Sequence, residues 1–169
     1  FVEHRPPLPF KAWYAAPSFR YEAPQAGRYR QHHQLGIEAL GTDDPDLDVE
    51  VVGLLHDFYV ALGLRRVELR LNSLGDDVCR PAYRVLLESY LADRADELCD
   101  EHRTRYADNP LRVLDCKRPA CVAATEGAPF QVDHLCEPCA DHFTRVREGL
   151  GALGVEAIID RRLVRGLDY

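Results

Sequence analysis

Two periods of hydrophobic repetition divide the chain. In KAWYAAPSFRYE (11 to 22) and QHHQLGIEALG (31 to 41) apolar and polar residues alternate, as on strands with one solvent-facing side. The stretch between them, APQAGRYR, holds Pro24 and Gly27 and reads as a turn, so the three together predict a long hairpin. The period then lengthens. Asp44 can accept first-turn N–H groups, and Pro45 suits a first helical position because no N–H is needed there. Leu47, Val51, Leu54, Leu55, Phe58 and Leu62 recur at helical spacing up to Gly63, which predicts a helix with one core face. VELRL at 67 to 71 alternates as a strand and NSLG turns it, while Pro6, Pro7 and Pro9 mark the first ten residues as a connection.

From about residue 77 the pattern becomes charged and mostly helical, over 77 to 92 and 94 to 107. NPLRVLDC and a cysteine-bearing segment follow, then a helix over 141 to 153 stopped by Gly154, a strand VEAII at 155 to 159, and RRLVRGLDY. These elements predict an α+β domain, residues 1–76 and 155–169, interrupted by a helical insertion at 77–154. No internal repeat or low-complexity tract is visible.

The 169 residues, 46% of them apolar, are enough for one domain with a smaller appendage. The chain has no Met and begins and ends within segments that read as structured, so an origin inside a longer chain is expected. No apolar run approaches membrane-spanning length and no leader opens the chain, which predicts a cytoplasmic protein with no membrane partner. A net charge of −7 argues against coating nucleic acid by charge alone. Cations do gather locally, at Arg20, Arg28 and Arg30 and again at Arg161, Arg162 and Arg165, so anion binding is expected at those two places.

Alternation puts Ser18, Arg20 and Glu22 on one face of the first strand, and His32, Gln34, Gly36 and Glu38 on one face of the second. If these faces coincide, one side of the hairpin is core and the other carries a guanidinium, carboxylates, an amide and an imidazole. Gly36 would leave room for a ligand against the sheet. Arg20 is a planar fork suited to phosphate, and Gln34 and Glu38 could hold an amine or a ring N–H. A solvated polar face would show the same alternation. The cysteines raise a separate question. Cys116-x4-Cys121, fourteen residues, then Cys136-x2-Cys139 form two close pairs that suit a closed structural Zn2+ site better than a disulfide framework. His134 and His142 are substitute ligands; reduced cysteines used as small apolar residues are the alternative.

FRYEAPQAGRYRQHHQLGIEALG resembles motif 2 of histidyl-tRNA synthetases, and LVRGLDY at 163 to 169 resembles that family's histidine-specific motif. NSLG at 72 to 75 and NPLRVLDCK at 109 to 117 also resemble family strings. The resemblance implies a partial class II synthetase catalytic core of antiparallel-sheet type, with ATP, Mg2+, L-histidine and tRNA(His) as ligands and a homodimer for the intact enzyme. Position by position it gives Arg20 the ATP α-phosphate and the histidine carboxylate, Glu22 the adenine side, and Arg28 the γ-phosphate. Gln34, Glu38 and Tyr169 fall to histidine, Arg165 to the second catalytic arginine, and Gln25 to the tRNA acceptor end. His32 stands where the family commonly has Phe stacked on adenine, and Ala23 where it often has Arg. A non-catalytic paralogue, such as the regulatory subunit of ATP phosphoribosyltransferase, typically degrades these motifs, whereas Arg20, Glu22, Arg28 and Arg165 are all present here. The cysteine quartet is the feature the resemblance does not explain.

Overall fold

The computed structural model describes residues 6–164. Strands β1 (Phe10–Phe19) and β2 (Gln31–Leu40) form the expected antiparallel hairpin. Helix α1 (Pro45–Ala61) follows, with Asp44 accepting from the Asp46 N–H at 3.0 Å and Pro45 in the first turn, as the start signal predicts. Gly63 closes it at a φ of +83°, a left-handed value that glycine adopts without a Cβ penalty. Strand β3 (Leu69–Leu71) leads to α2 (Arg80–Ala92), short helices α3 (Asp100–Arg103), α4 (Leu111–Leu114) and α5 (Pro119–Ala124), then α6 (Glu137–Ala152) and β4 (Ala157–Ile159).

The helix expected over 94 to 107 is broken. A 3-10 turn at Ala95–Glu97 gives way to extended backbone at Leu98 and Cys99 before α3 begins. Leu98 is 2% exposed, and turning its side chain and that of Cys99 inward outweighs helical continuity. The cysteine-bearing segment also contains α5, and α6 starts at Glu137, before the expected position. Beside the antiparallel hairpin stands a short parallel pair, β3 with β4.

Two hydrophobic clusters hold the chain. The larger joins Tyr83, Leu87 and Leu91 of α2 to Leu98, Val113, Leu114, Cys121 and Ala124, all within the expected insertion. The second joins Val49 of α1 to Val146 and Leu150 of α6 and to Val155, with Leu69 and Leu71 packed on it. Helix α6, inside the expected 77–154 insertion, thus packs on α1 and the β3–β4 pair. The core face expected on α1 divides as well. Leu47, Val49 and Gly53 are buried, whereas Leu54, Leu55 and Phe58 are exposed along the side that looks toward the hairpin, and Leu62 is exposed at the C-cap.

Candidate functional site

Register decides whether the polar residues of the hairpin share a face. The observed pairs are Ala12 with Glu38, Tyr14 with Gly36, Ala16 with Gln34, and Ser18 with His32. Even positions oppose even positions, so the expected coincidence of polar faces holds. Arg20 lies just past the end of β1, kept in register by its N–H to the Arg30 carbonyl at 2.8 Å. Its guanidinium reaches both ring nitrogens of His32, at 3.2 and 3.4 Å, and forms no ion pair among the described residues. The tip beyond is a tight turn in which Gln25 and Arg28 exchange backbone hydrogen bonds of 3.1 and 2.8 Å across Gly27, whose φ of +74° only glycine takes readily. Glu22 and Arg28 are therefore carried at the tip, with Gln34 about 7 Å and Glu38 about 20 Å beyond His32 along β2.

The open surface expected over Gly36 is filled by a residue the sequence reading passed over. The ring of Tyr14 lies where a Cβ on Gly36 would stand, and the Tyr14 hydroxyl accepts from Gln34 Nε2 at 3.3 Å. Tyr14 was legible as the even-numbered aromatic of β1, but its role depends on the cross-strand register, which one strand alone does not specify. The absent side chain of Gly36 makes room for an aromatic ring, and a ligand on this face would rest on that ring.

The second cationic group divides. Arg162 is structural: its guanidinium donates to the Leu114 carbonyl at 3.0 Å and to Thr125 Oγ1 at 2.9 Å. Arg161 pairs with Asp133 at 3.0 Å and lies over the Phe130 ring. Both guanidiniums are thus engaged within the chain, Arg161 while its side chain stays half exposed. Arg165 and Tyr169 lie outside the described residues. The segment leading to them is fixed by Asn72 Nδ2, which donates to the carbonyls of Arg161 and Leu163 at 3.3 and 3.0 Å. Asp160 just before it is held below the usual carboxylate range, first by its hydrogen bond with Arg70.

The expected four-thiol site is corrected by the structure. Cys116 and Cys121 group with Cys99 and His102, while Cys136 and Cys139 group with Asp76 and Cys79; in each group the potential ligand atoms lie within 4.8 Å of one another. The expected substitutes are engaged elsewhere, His142 with Asp48 at 2.8 Å and His134 stacked on Tyr83. The quartet was assigned from sequence proximity, which cannot report that the chain folds back between the pairs. The overlooked signal was the repeated two-residue gap in Asp76-x2-Cys79 and Cys99-x2-His102, the same gap as in Cys136-x2-Cys139.

Comparison with known proteins gives this geometry its setting. A family profile described as histidyl-tRNA synthetase matches residues 3–100. The chain is 54% identical over 172 aligned residues to a histidine–tRNA ligase of Moorella thermoacetica, covering all of this chain and 41% of that protein. It is 51% identical to the histidine–tRNA ligase of Syntrophotalea carbinolica, with the same coverage. The crystal structure of apo S. aureus histidyl-tRNA synthetase aligns with 99% of this chain and 38% of its own, at a TM-score of 0.73 and 32% identity. The chain spans about two fifths of the length of the curated relatives it matches. With a family profile matched over more than half its length, the chain belongs to the histidyl-tRNA synthetase family.

Proposed function

We propose that this chain supplies the nucleotide and amino-acid platform of a histidine–tRNA ligase, which activates L-histidine with ATP and transfers it to the 3′ end of tRNA(His). The observation that carries this reading is one polar hairpin face, in a chain of that family, bearing Arg20 and His32 at one end and Gln34, Tyr14 and Glu38 further along. His32 and Glu38 are separated by about 20 Å of strand, enough for two ligands bound in series. Neither Arg20 nor Arg28 forms an ion pair among the described residues, so both charges suit phosphates; Mg2+, held chiefly by those phosphates, would supply further neutralisation.

In the reaction so read, a histidine carboxylate oxygen attacks the α-phosphorus of ATP, the bond to the bridging oxygen breaks, and pyrophosphate leaves. The carboxylate is already ionised, so no general base is needed. Arg20 aligns the carboxylate and offsets charge at the α-phosphate, with Arg165 assigned the matching role. Arg28 holds the γ-phosphate end, and Glu22 and His32 the adenine side. Gln34, Glu38 and Tyr169 read histidine through polar groups that a non-hydrogen-bonding side chain would leave unpaired. Gln25, at the exposed tip, takes the tRNA acceptor end. The same reading implies a homodimer, a cytoplasmic location, and an inserted lobe at 77–154 joined to the catalytic portion through α6. No helix among the described residues is long and apolar enough to cross a membrane.

The test is histidine-dependent pyrophosphate exchange by the full-length protein. Arg20→Ala should lower exchange by about 100-fold or more, the range for removing one preorganised donor from a developing charge, with an unchanged thermal melt. Exchange at the unaltered rate in the variant would overturn the role of Arg20. A non-catalytic paralogue would show no exchange in the unaltered protein.

A further inference from the structure

All six cysteines of the chain fall into the two groups described above, three in each, and each group is completed by one ligand of another kind. We propose that Cys99, His102, Cys116 and Cys121 hold one structural zinc ion, and that Asp76, Cys79, Cys136 and Cys139 hold a second.

Tetrahedral zinc with bonds of about 2.3 Å to sulfur and about 2.0 Å to nitrogen or oxygen sets its ligand atoms roughly 3.5 to 3.8 Å apart. Contacts in both groups lie within a few tenths of an ångström of these spacings. His102 Nδ1 lies 3.3 Å from Cys99 Sγ and 3.6 Å from Cys121 Sγ, and both carboxylate oxygens of Asp76 lie 3.7 Å from Cys136 Sγ. All six cysteines are free, and three thiols per group cannot pair completely as disulfides. Use as small apolar residues would account for Cys121, which has no exposed surface. It does not account for the half-buried Cys116, Cys136 and Cys139, nor for an imidazole nitrogen set between two sulfurs.

The surroundings complete the ligands as outer partners do in metal sites. In the first group the Cys99 N–H points at Cys121 Sγ, 3.4 Å away, and the Arg118 guanidinium, paired with Glu101 at 3.0 Å, brings a positive charge to the neighbourhood of the Cys99 sulfur. In the second, the Asp76 N–H points at Cys79 Sγ at 3.4 Å, and Asp76 Oδ1 accepts from the N–H groups of Val78 and Cys79 at 3.0 Å each, which fixes the carboxylate. Cys79 and Cys136 are the N-caps of α2 and α6, neither of which has a side-chain cap hydrogen bond, so two helix dipoles face this more anionic cluster. Gly75 leaves the space beside Cys79 Sγ in which a Cβ would stand only 2.4 Å away.

The sites are nested in the sequence. The second joins the start of the helical lobe to its end, between residues 60 apart, and the first cross-links the lobe within it. Four protein ligands leave no open position for substrate, so both ions act by holding structure. The second fixes the lobe to the turn after β3, the same turn from which Asn72 holds the segment leading to Arg165.

Zinc is counted in the protein purified without chelator. Two equivalents per chain are expected. Cys116→Ser with Cys121→Ser should keep one, and Cys136→Ser with Cys139→Ser should keep the other. Cobalt added to the stripped protein should give thiolate charge-transfer and tetrahedral visible bands, halved in either double variant. Where a variant fails to fold, the unaltered protein still decides: chelation should release two zinc ions together with six reactive thiols. One zinc with four thiols would mean the single quartet and overturn the proposal, as would one equivalent in the unaltered protein. Less than about a tenth of an equivalent, without cobalt bands, overturns it as well.

Discussion

Two glycines of α6 separate what a residue type contributes from what its surroundings demand. A Cβ on Gly149 would stand 2.6 Å from a Val49 methyl, where α6 crosses α1, whereas a Cβ on Gly151 would meet nothing within 4 Å. Helix propensity favours alanine over glycine by about 1 kcal/mol at an interior position, and overpacking against a short branched side chain costs about 1 to 3 kcal/mol. Gly149→Ala should therefore lower the melting temperature and Gly151→Ala hold or raise it, and in a Val49→Ala background the cost of Gly149→Ala should disappear. Equal effects of the two glycine substitutions would show that the helix crossing does not depend on the small residue. The same distinction governs the charged positions. Arg20 and Arg162 are the same residue type, yet among the described residues one guanidinium reaches only an imidazole and the other is consumed by Leu114 and Thr125. Side-chain chemistry was legible for both. The partners of the Arg162 guanidinium lie at least 37 residues away along the chain, so its structural role was not.

Elements with strong local signals came out close to their sequence reading. Alternation places both hairpin strands, and the Asp44–Pro45 start and Gly63 stop bracket α1, because caps and turns are set by a few neighbouring residues. What depends on distant partners did not. The parallel pairing of β3 with β4 brings residues 88 positions apart into register, and three residues per strand are too few to announce it. Asn72 makes that pairing useful, since its amide joins the end of β3 to the backbone after β4 through two hydrogen bonds. Asn72→Ala removes both donors at a cost of about 1 to 3 kcal/mol locally. Hydrogen exchange should rise at residues 161 to 164, while the melt of the α1–α6 pair changes little. If exchange in that segment is unaltered, the segment is held by Arg162 and Asp160 alone.

At the scale of the whole chain, the hairpin is half of a surface. Its polar face carries the candidate platform, but the opposite face leaves Trp13 and Phe19 each 73% exposed, and Leu54 and Leu55 of α1 line the facing side of a groove of about 890 Å³. From the sequence this face is expected to be core. The alternation does mark the apolar side, yet a period reports which side is apolar without naming what covers it. Soluble proteins rarely leave contiguous apolar patches beyond a few hundred Å² uncovered, and the relatives extend well beyond the matched stretch. The 169-residue chain alone should therefore bind an apolar fluorescent dye and self-associate as its concentration rises. Trp13→Glu with Leu55→Glu changes neither metal group and neither arginine of the hairpin. It should reduce dye binding and association in the isolated chain without changing its zinc content. In the full-length protein the same pair of substitutions should instead lower stability by several kcal/mol, because there each introduces a charge into a covered apolar contact. Dye binding by the full-length protein equal to that of the isolated chain would show that the face stays open, and that the hairpin is held by its own register and by α1 without a covering layer.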